Sequence, residues 1–132
     1  MQIKWRVSFF GTLKISGEGA MPDYDYGKEI LPPWSSRREK IKRTVISKKL
    51  TSIGREAFNG CEKLESVILP TSVTSIGKSA FYKCTSLTSV ILPGSVTSIG
   101  DYAFEGCTRL TSVTIPDSVT SIGKDAFKNT KK

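Results

Sequence analysis

Histidine is absent from the 132 residues. That removes the Ser-His-Asp and Cys-His nucleophile systems and every histidine-based metal site. No run of 18 apolar residues occurs, so no transmembrane helix is expected. The N-terminal MQIKWRVSFF has no long apolar segment leading to a small-residue cleavage site, so no signal peptide is expected. The acids are scattered, with no carboxylate pair of the kind hydrolysis needs. Asp23 and Asp25 flank Tyr24, and Glu18 sits between Gly17 and Gly19; they read as turn residues, not as a calcium set. Gly17-Glu18-Gly19 lacks the third glycine of a dinucleotide fingerprint. The three cysteines form no CxxC, so no zinc site is expected. The chain reads as non-enzymatic, with no catalytic residue, metal or cofactor.

What is present is repetition. Residues 41–132 divide without gaps into four units of 23 residues, at 41–63, 64–86, 87–109 and 110–132. The shared text is clearest in LTSVILPGSVTSIGDYAFEGC and LTSVTIPDSVTSIGKDAFKNT. Aliphatic residues recur at position 1 (Ile41, Leu64, Leu87, Leu110), position 6 (Ile46, Leu69, Leu92, Ile115), position 10 (Leu50, Val73, Val96, Val119) and position 13 (Ile53, Ile76, Ile99, Ile122). Position 4 is Thr44, Val67, Val90, Val113. An Ala-Phe pair and then a cysteine follow in each unit, with Thr130 in the cysteine column of the fourth. One unit is too small to bury these positions; stacked units bury them as continuous columns, which is the logic of a solenoid.

Within a unit, the alternation around positions 4 to 6 has the period of a strand, closed by Pro70, Pro93 or Pro116. SVTSIG reads as a second short strand ending at a glycine, and the AFxxC spacing is compatible with one or two helical turns, including 3₁₀. The expected fold is therefore a mainly β repeat solenoid with short helices.

The motif LTSVxIPxSVTSIGxxAFxxC resembles the BspA-type leucine-rich repeat of bacterial surface proteins, over residues 41–132, and Gly11–Tyr24 (GTLKISGEGAMPDY) is similar to the lead-in that precedes such repeats. The resemblance implies a right-handed leucine-rich-repeat coil, a protein-binding or adhesive role, and a place at the cell surface or outside the cell. A cytoplasmic place follows instead if Met1 is the native start. Thr44, Ser47 in place of the proline, and Thr130 depart from the motif in the end units, where capping units are commonly atypical.

Residues 1–40 fall outside the repeat. Ile3–Phe9 and Thr12–Ser16 read as a hairpin around Gly11 that covers the edge of the first coil. Residues 24–36, with Pro32 and Pro33, read as loop, and Trp34 and Trp5 as packing on this cap. The last coil has no comparable cover, so its edge is protected by Lys128, Lys131 and Lys132 or serves a homodimer.

Two surface features are candidate sites. The column Val45, Ile68, Ile91 points outward from the first strand, with Thr114 in the fourth unit and Lys42, Arg43 and Glu65 beside it. An apolar centre with a polar rim is interface anatomy; plain β-propensity, or cover by residues 24–36, explains it equally. The second feature is a basic run: Arg37, Arg38, Lys40, Lys42, Arg43, Lys48 and Lys49 against one acid, Glu39. It reads as a contact for phosphate or an acidic protein, or as a solvated junction. The cysteines, 23 residues apart, read as a buried apolar column.

The leading expectation is a non-enzymatic module that binds a protein partner through the open sheet face. The alternative is a small intracellular inhibitor or adaptor, carried by a phage or another mobile element, binding a protein or ribonucleoprotein through Arg37–Lys49.

Overall fold

The computed structural model describes residues 3–131. It contains eleven strands: β1 (Lys4–Val7), β2 (Thr12–Ser16), β3 (Gly19–Ala20), β4 (Arg43–Ile46), β5 (Leu50–Ile53), β6 (Ser66–Ile68), β7 (Ser75–Ile76), β8 (Ser89–Ile91), β9 (Ser98–Ile99), β10 (Ser112–Thr114) and β11 (Ser121–Ile122). The even-numbered strands from β4 line one front face in two parallel pairs, β4–β6 and β8–β10, and the odd-numbered ones from β5 form a continuous parallel rear sheet. The register advances by one repeat at each pairing, as in Thr44↔Val67, Val90↔Val113 and Ile76↔Ile99. The aliphatic columns point inward from both sheets and are buried through the first three units.

The expected short helix is a chain of turns. Its position-16 residues Glu56, Ser79, Tyr102 and Asp125 are left-handed (φ 54 to 59°), and so are its position-20 residues Gly60, Lys83, Gly106 and Asn129. Two left-handed residues four apart forbid a helix. They also split the amide directions. Ala57, Asn59 and Cys61 donate three residues back within their own turn, while Glu56, Phe58 and Gly60 donate to Lys78, Ala80 and Tyr82 of the next coil (2.8–3.0 Å). The pattern recurs at the next two junctions. Each coil therefore has a third hydrogen-bonded wall.

The SVTSIG text has the same kind of cause. Ser72, Ser95 and Ser118 hydroxyls donate to Leu50, Val73 and Val96 carbonyls of the preceding coil (2.6–2.7 Å), and Thr74, Thr97 and Thr120 do so to Thr51, Thr74 and Thr97. The glycine that follows is required by proximity: a Cβ on Gly77 would lie 2.7 Å from Arg55 N and 2.9 Å from Gly54 C.

The N-terminal segment is a hairpin, β1 antiparallel to β2, and β2 pairs in parallel with β4. It goes further than an edge cover. β3 joins the rear sheet beside β5, and Trp34 is fully buried, stacked on Phe58 (5.8 Å between centroids) with its Nε1 donating to Ala57 O at 2.9 Å. Residues 12–36 thus form an irregular extra coil with both sheets and an aromatic in the column that Phe58, Phe81, Phe104 and Phe127 continue at 5.1–5.3 Å. Trp5 packs edge-on to Trp34.

Candidate functional site: the outer face of the front sheet

Leu13, Ile15, Thr44, Ile46, Val67 and Val90 of the front sheet are buried, so the residues between them face outward. One outward row runs across the sheet in register as Arg6, Lys14, Val45, Ile68, and then Ile91, Thr114. Ile68 is 63% exposed and Ile91 82%. A second row is Thr12, Arg43, Ser66, and then Ser89, Ser112. The face is therefore a pair of exposed isoleucines beside a hydroxyl row, with cations at one end. Residues 24–36 do not cover it: Tyr24 N–H donates to Arg55 O, and Trp34 lies in the aromatic column on the side of the turns.

Val45 is half-buried, unlike its two neighbours. With Trp5 and Ile15 it supplies the apolar lining of a shallow cleft of about 440 Å³ that Lys4, Arg6, Lys14, Ser16 and Ser47 complete. Sequence reasoning missed Lys4, Arg6 and Lys14, since nothing in residues 1–16 repeats; the alternation of the hairpin strands was the signal that could have aimed them outward. Lys42 and Glu65 are exposed side by side at the mouth of the strands, with Glu65 N–H donating to Lys42 O at 2.7 Å. Arg43 is committed to the fold: its Nη2 donates to Phe10 O at 3.0 Å and its Nε to Thr12 Oγ1 at 3.3 Å.

The front ladder is loosest where the two isoleucines meet. Thr88 N–H reaches Glu65 O only at 3.4 Å, against 2.7 Å and 3.2 Å at the flanking junctions, and no β6–β8 pairing continues the sheet there. The rear sheet is unbroken from β3 to β11.

The basic run spans three successive elements. Arg37, Arg38 and Lys40 lie on a 3₁₀ helix (Ser35–Lys40) that leads to the start of β4, while Lys48 and Lys49 lie in the turn beyond its end. A four-residue strand at about 3.3 Å per residue separates the groups. Arg38 lies over the Tyr26 ring at 5.2 Å, and Lys49 Nζ pairs with Glu18 at 3.1 Å. The run is thus distributed along both ends of β4, with Lys42 and Arg43 between its two groups.

The cysteines are a buried column. Cys84 and Cys107 Sγ donate to Phe58 O and Phe81 O at 3.1 Å. Burial pushes the Cys61 and Cys107 thiols up to about 12 and Cys84 well above its ordinary value. At neutral pH all three are thiols, so the column offers no ready nucleophile.

Among curated proteins no sequence matches the chain. Solved structures do. A leucine-rich repeat protein of T. pallidum superposes with a TM-score of 0.72 at 24% identity, over 96% of this chain and 64% of that one. One from Bacteroides ovatus gives 0.66 at 28%, over 98% and 32%. A leucine-rich cell surface protein from Faecalibacterium prausnitzii gives 0.55 at 26%, over 97% and 45%. The chain thus spans less than two thirds of the length of each. The family model described as the BspA-type leucine-rich repeat region matches residues 36–132 with six copies, where the sequence reading counts four 23-residue units. On that match, with the stacked coils and their columns beneath it, the chain belongs to the BspA-type leucine-rich repeat family.

Proposed function

We propose that the chain binds a protein partner through the outer face of the front sheet, with Ile68 and Ile91 as apolar anchors. Leucine-rich repeat modules of this kind serve protein recognition and are generally non-enzymatic. The observation that carries the assignment to this face is the exposure of two isoleucines on successive strands, rimmed by Ser66, Ser89, Lys42 and Glu65. Large apolar side chains held in water and framed by polar groups are the anatomy of a recognition surface. Val45 and its cationic cleft extend the face toward the hairpin, which favours a partner with an acidic flank. One structural neighbour is a cell surface protein, and recognition outside the cell, in adhesion or in contact with a host protein, is the setting we infer.

The test is capture by the immobilised chain from nuclease-treated extract at low and high salt. The parent retains a discrete protein at high salt. Ile68→Thr/Ile91→Thr, folded normally, loses at least about tenfold in affinity, as removal of central anchors does. Equal capture by the double variant removes the front face from the account. Capture that disappears with nuclease or salt moves the contact to the cations of Arg37–Lys49 and to a ribonucleoprotein partner.

A further inference from the structure

Phe9 and Phe10 stand at the tip of the hairpin, 95% and 76% exposed. Phe9 is the most exposed large apolar side chain described, and Phe10 follows Ile91. They pack edge-to-face with centroids 5.1 Å apart, so they present one joint apolar knob. Both lie beyond β1, which ends at Val7.

The tip beneath the rings is fastened, not loose. Ser8 N–H donates to Thr12 O at 2.9 Å, Gly11 N–H to Ser8 O at 3.0 Å, and Thr12 N–H to Ser8 Oγ at 3.0 Å. Gly11 O accepts from Lys42 and Arg43 N–H at 2.8 and 3.1 Å, and Phe10 O accepts from Arg43 Nη2 at 3.0 Å. Gly11 has φ +90°, and a Cβ there would lie 2.6 Å from Lys40 O. The knob is thereby clamped against Lys40, Lys42 and Arg43, with exposed Arg37 on the 3₁₀ helix that ends at Lys40. No acid occurs in residues 1–17, which hold Lys4, Arg6 and Lys14; Glu39 and Glu65 are the acids near the cluster.

We propose that this tip is an interfacial anchor for an anionic lipid surface. Three features select that occupant. The knob is convex and projects from the fold, so it needs a deformable medium and not a matching cavity. The amides of Ser8, Gly11 and Thr12 and the carbonyls of Ser8, Phe10 and Gly11 are bonded within the fold, so the loop that carries the rings keeps its shape at an interface. Lys40 and Lys42 adjoin the tip at Gly11, are exposed, and have alkyl stems long enough to reach lipid headgroups. The rings enter the headgroup–acyl boundary only; no helix of the described residues is long and apolar enough to cross a membrane.

The experiment is co-sedimentation of the whole chain with vesicles of phosphatidylcholine alone and of phosphatidylcholine mixed with phosphatidylglycerol. The proposal requires binding to the mixed vesicles that falls with salt, and little binding to the neutral ones. Phe9→Ser and Phe10→Ser each reduce partitioning about tenfold, with an unchanged melting curve because neither ring is packed in the core. Lys40→Ser/Lys42→Ser weakens binding and flattens its salt dependence. Ile68→Thr/Ile91→Thr leaves vesicle binding as it was, which separates this anchor from the sheet face. Equal partitioning of the phenylalanine variants overturns the proposal. So does a parent chain that ignores anionic vesicles, including the case where the same rings instead bind an acid-rimmed pocket of a soluble protein.

Discussion

Thr44 is the one polar side chain buried among the described core residues, and its Oγ1 has no hydrogen-bond partner. The same column carries Val67, Val90 and Val113. A buried hydroxyl without a partner loses its hydration for nothing in return. Thr44→Val keeps the shape and removes that cost, so urea unfolding should show a gain of about 1 kcal/mol; a loss would mean that the hydroxyl is bonded. The thiols give a second residue-scale expectation. Unfolded cysteines ionise near 9, whereas Cys61 and Cys107 hold their protons to about 12, and Cys84 is raised in the same direction. Their contribution to stability is complete below the unfolded value and declines as pH rises from there toward the folded one. A Cys61→Ala/Cys84→Ala/Cys107→Ala variant should therefore lose less stability between about pH 8 and about pH 10 than the parent. Equal losses would assign the alkaline limit to Tyr24, which burial also raises to about 12.

The element that holds the coils in line is the aromatic column with its wall of turns. Phe58, Phe81 and Phe104 are completely buried, and each is stacked on both sides, Phe58 by Trp34 and Phe81. Phe127 is partly buried, with one ring neighbour. Phe81→Ala should cost about 3–5 kcal/mol, and Phe127→Ala less than half as much by the same denaturant measurement. Equal costs would show that the column does not act as a stack. The inward columns were legible in the sequence because burial repeats with the same 23-residue period as the text. The wall was not. Ala-Phe-x-x-Cys has the spacing of a helix, and only the amides of Glu56, Phe58 and Gly60, reaching partners 22 residues away, make it a ladder. Trp34 was hidden for a related reason: it precedes Phe58 by 24 residues, one out of phase, so it fills the column without joining the repeat.

At the scale of the whole molecule, the irregular coil and the regular ones make a single stack that exposes two apolar features, the isoleucines of the front face and the rings of the hairpin tip. The stripe of Ile68 and Ile91 was readable from alternation alone, because the strand period decides which side chains face out. The cleft of Lys4, Arg6 and Lys14 was not, since it depends on β2 docking beside β4 in a particular register. The basic run, contiguous in sequence, is spread over the 3₁₀ helix, β4 and the turn beyond it.

The central claim is that the front face meets the partner, and contact-dependent cross-linking tests it most directly. A photoreactive residue is placed at Ile91 on the front sheet and, separately, at exposed Thr97 near the rear sheet. The account predicts a discrete protein adduct from position 91 that competes away with unlabelled parent and does not compete with Ile68→Thr/Ile91→Thr. Adducts from position 97 alone, or equal competition by the double variant, would contradict it.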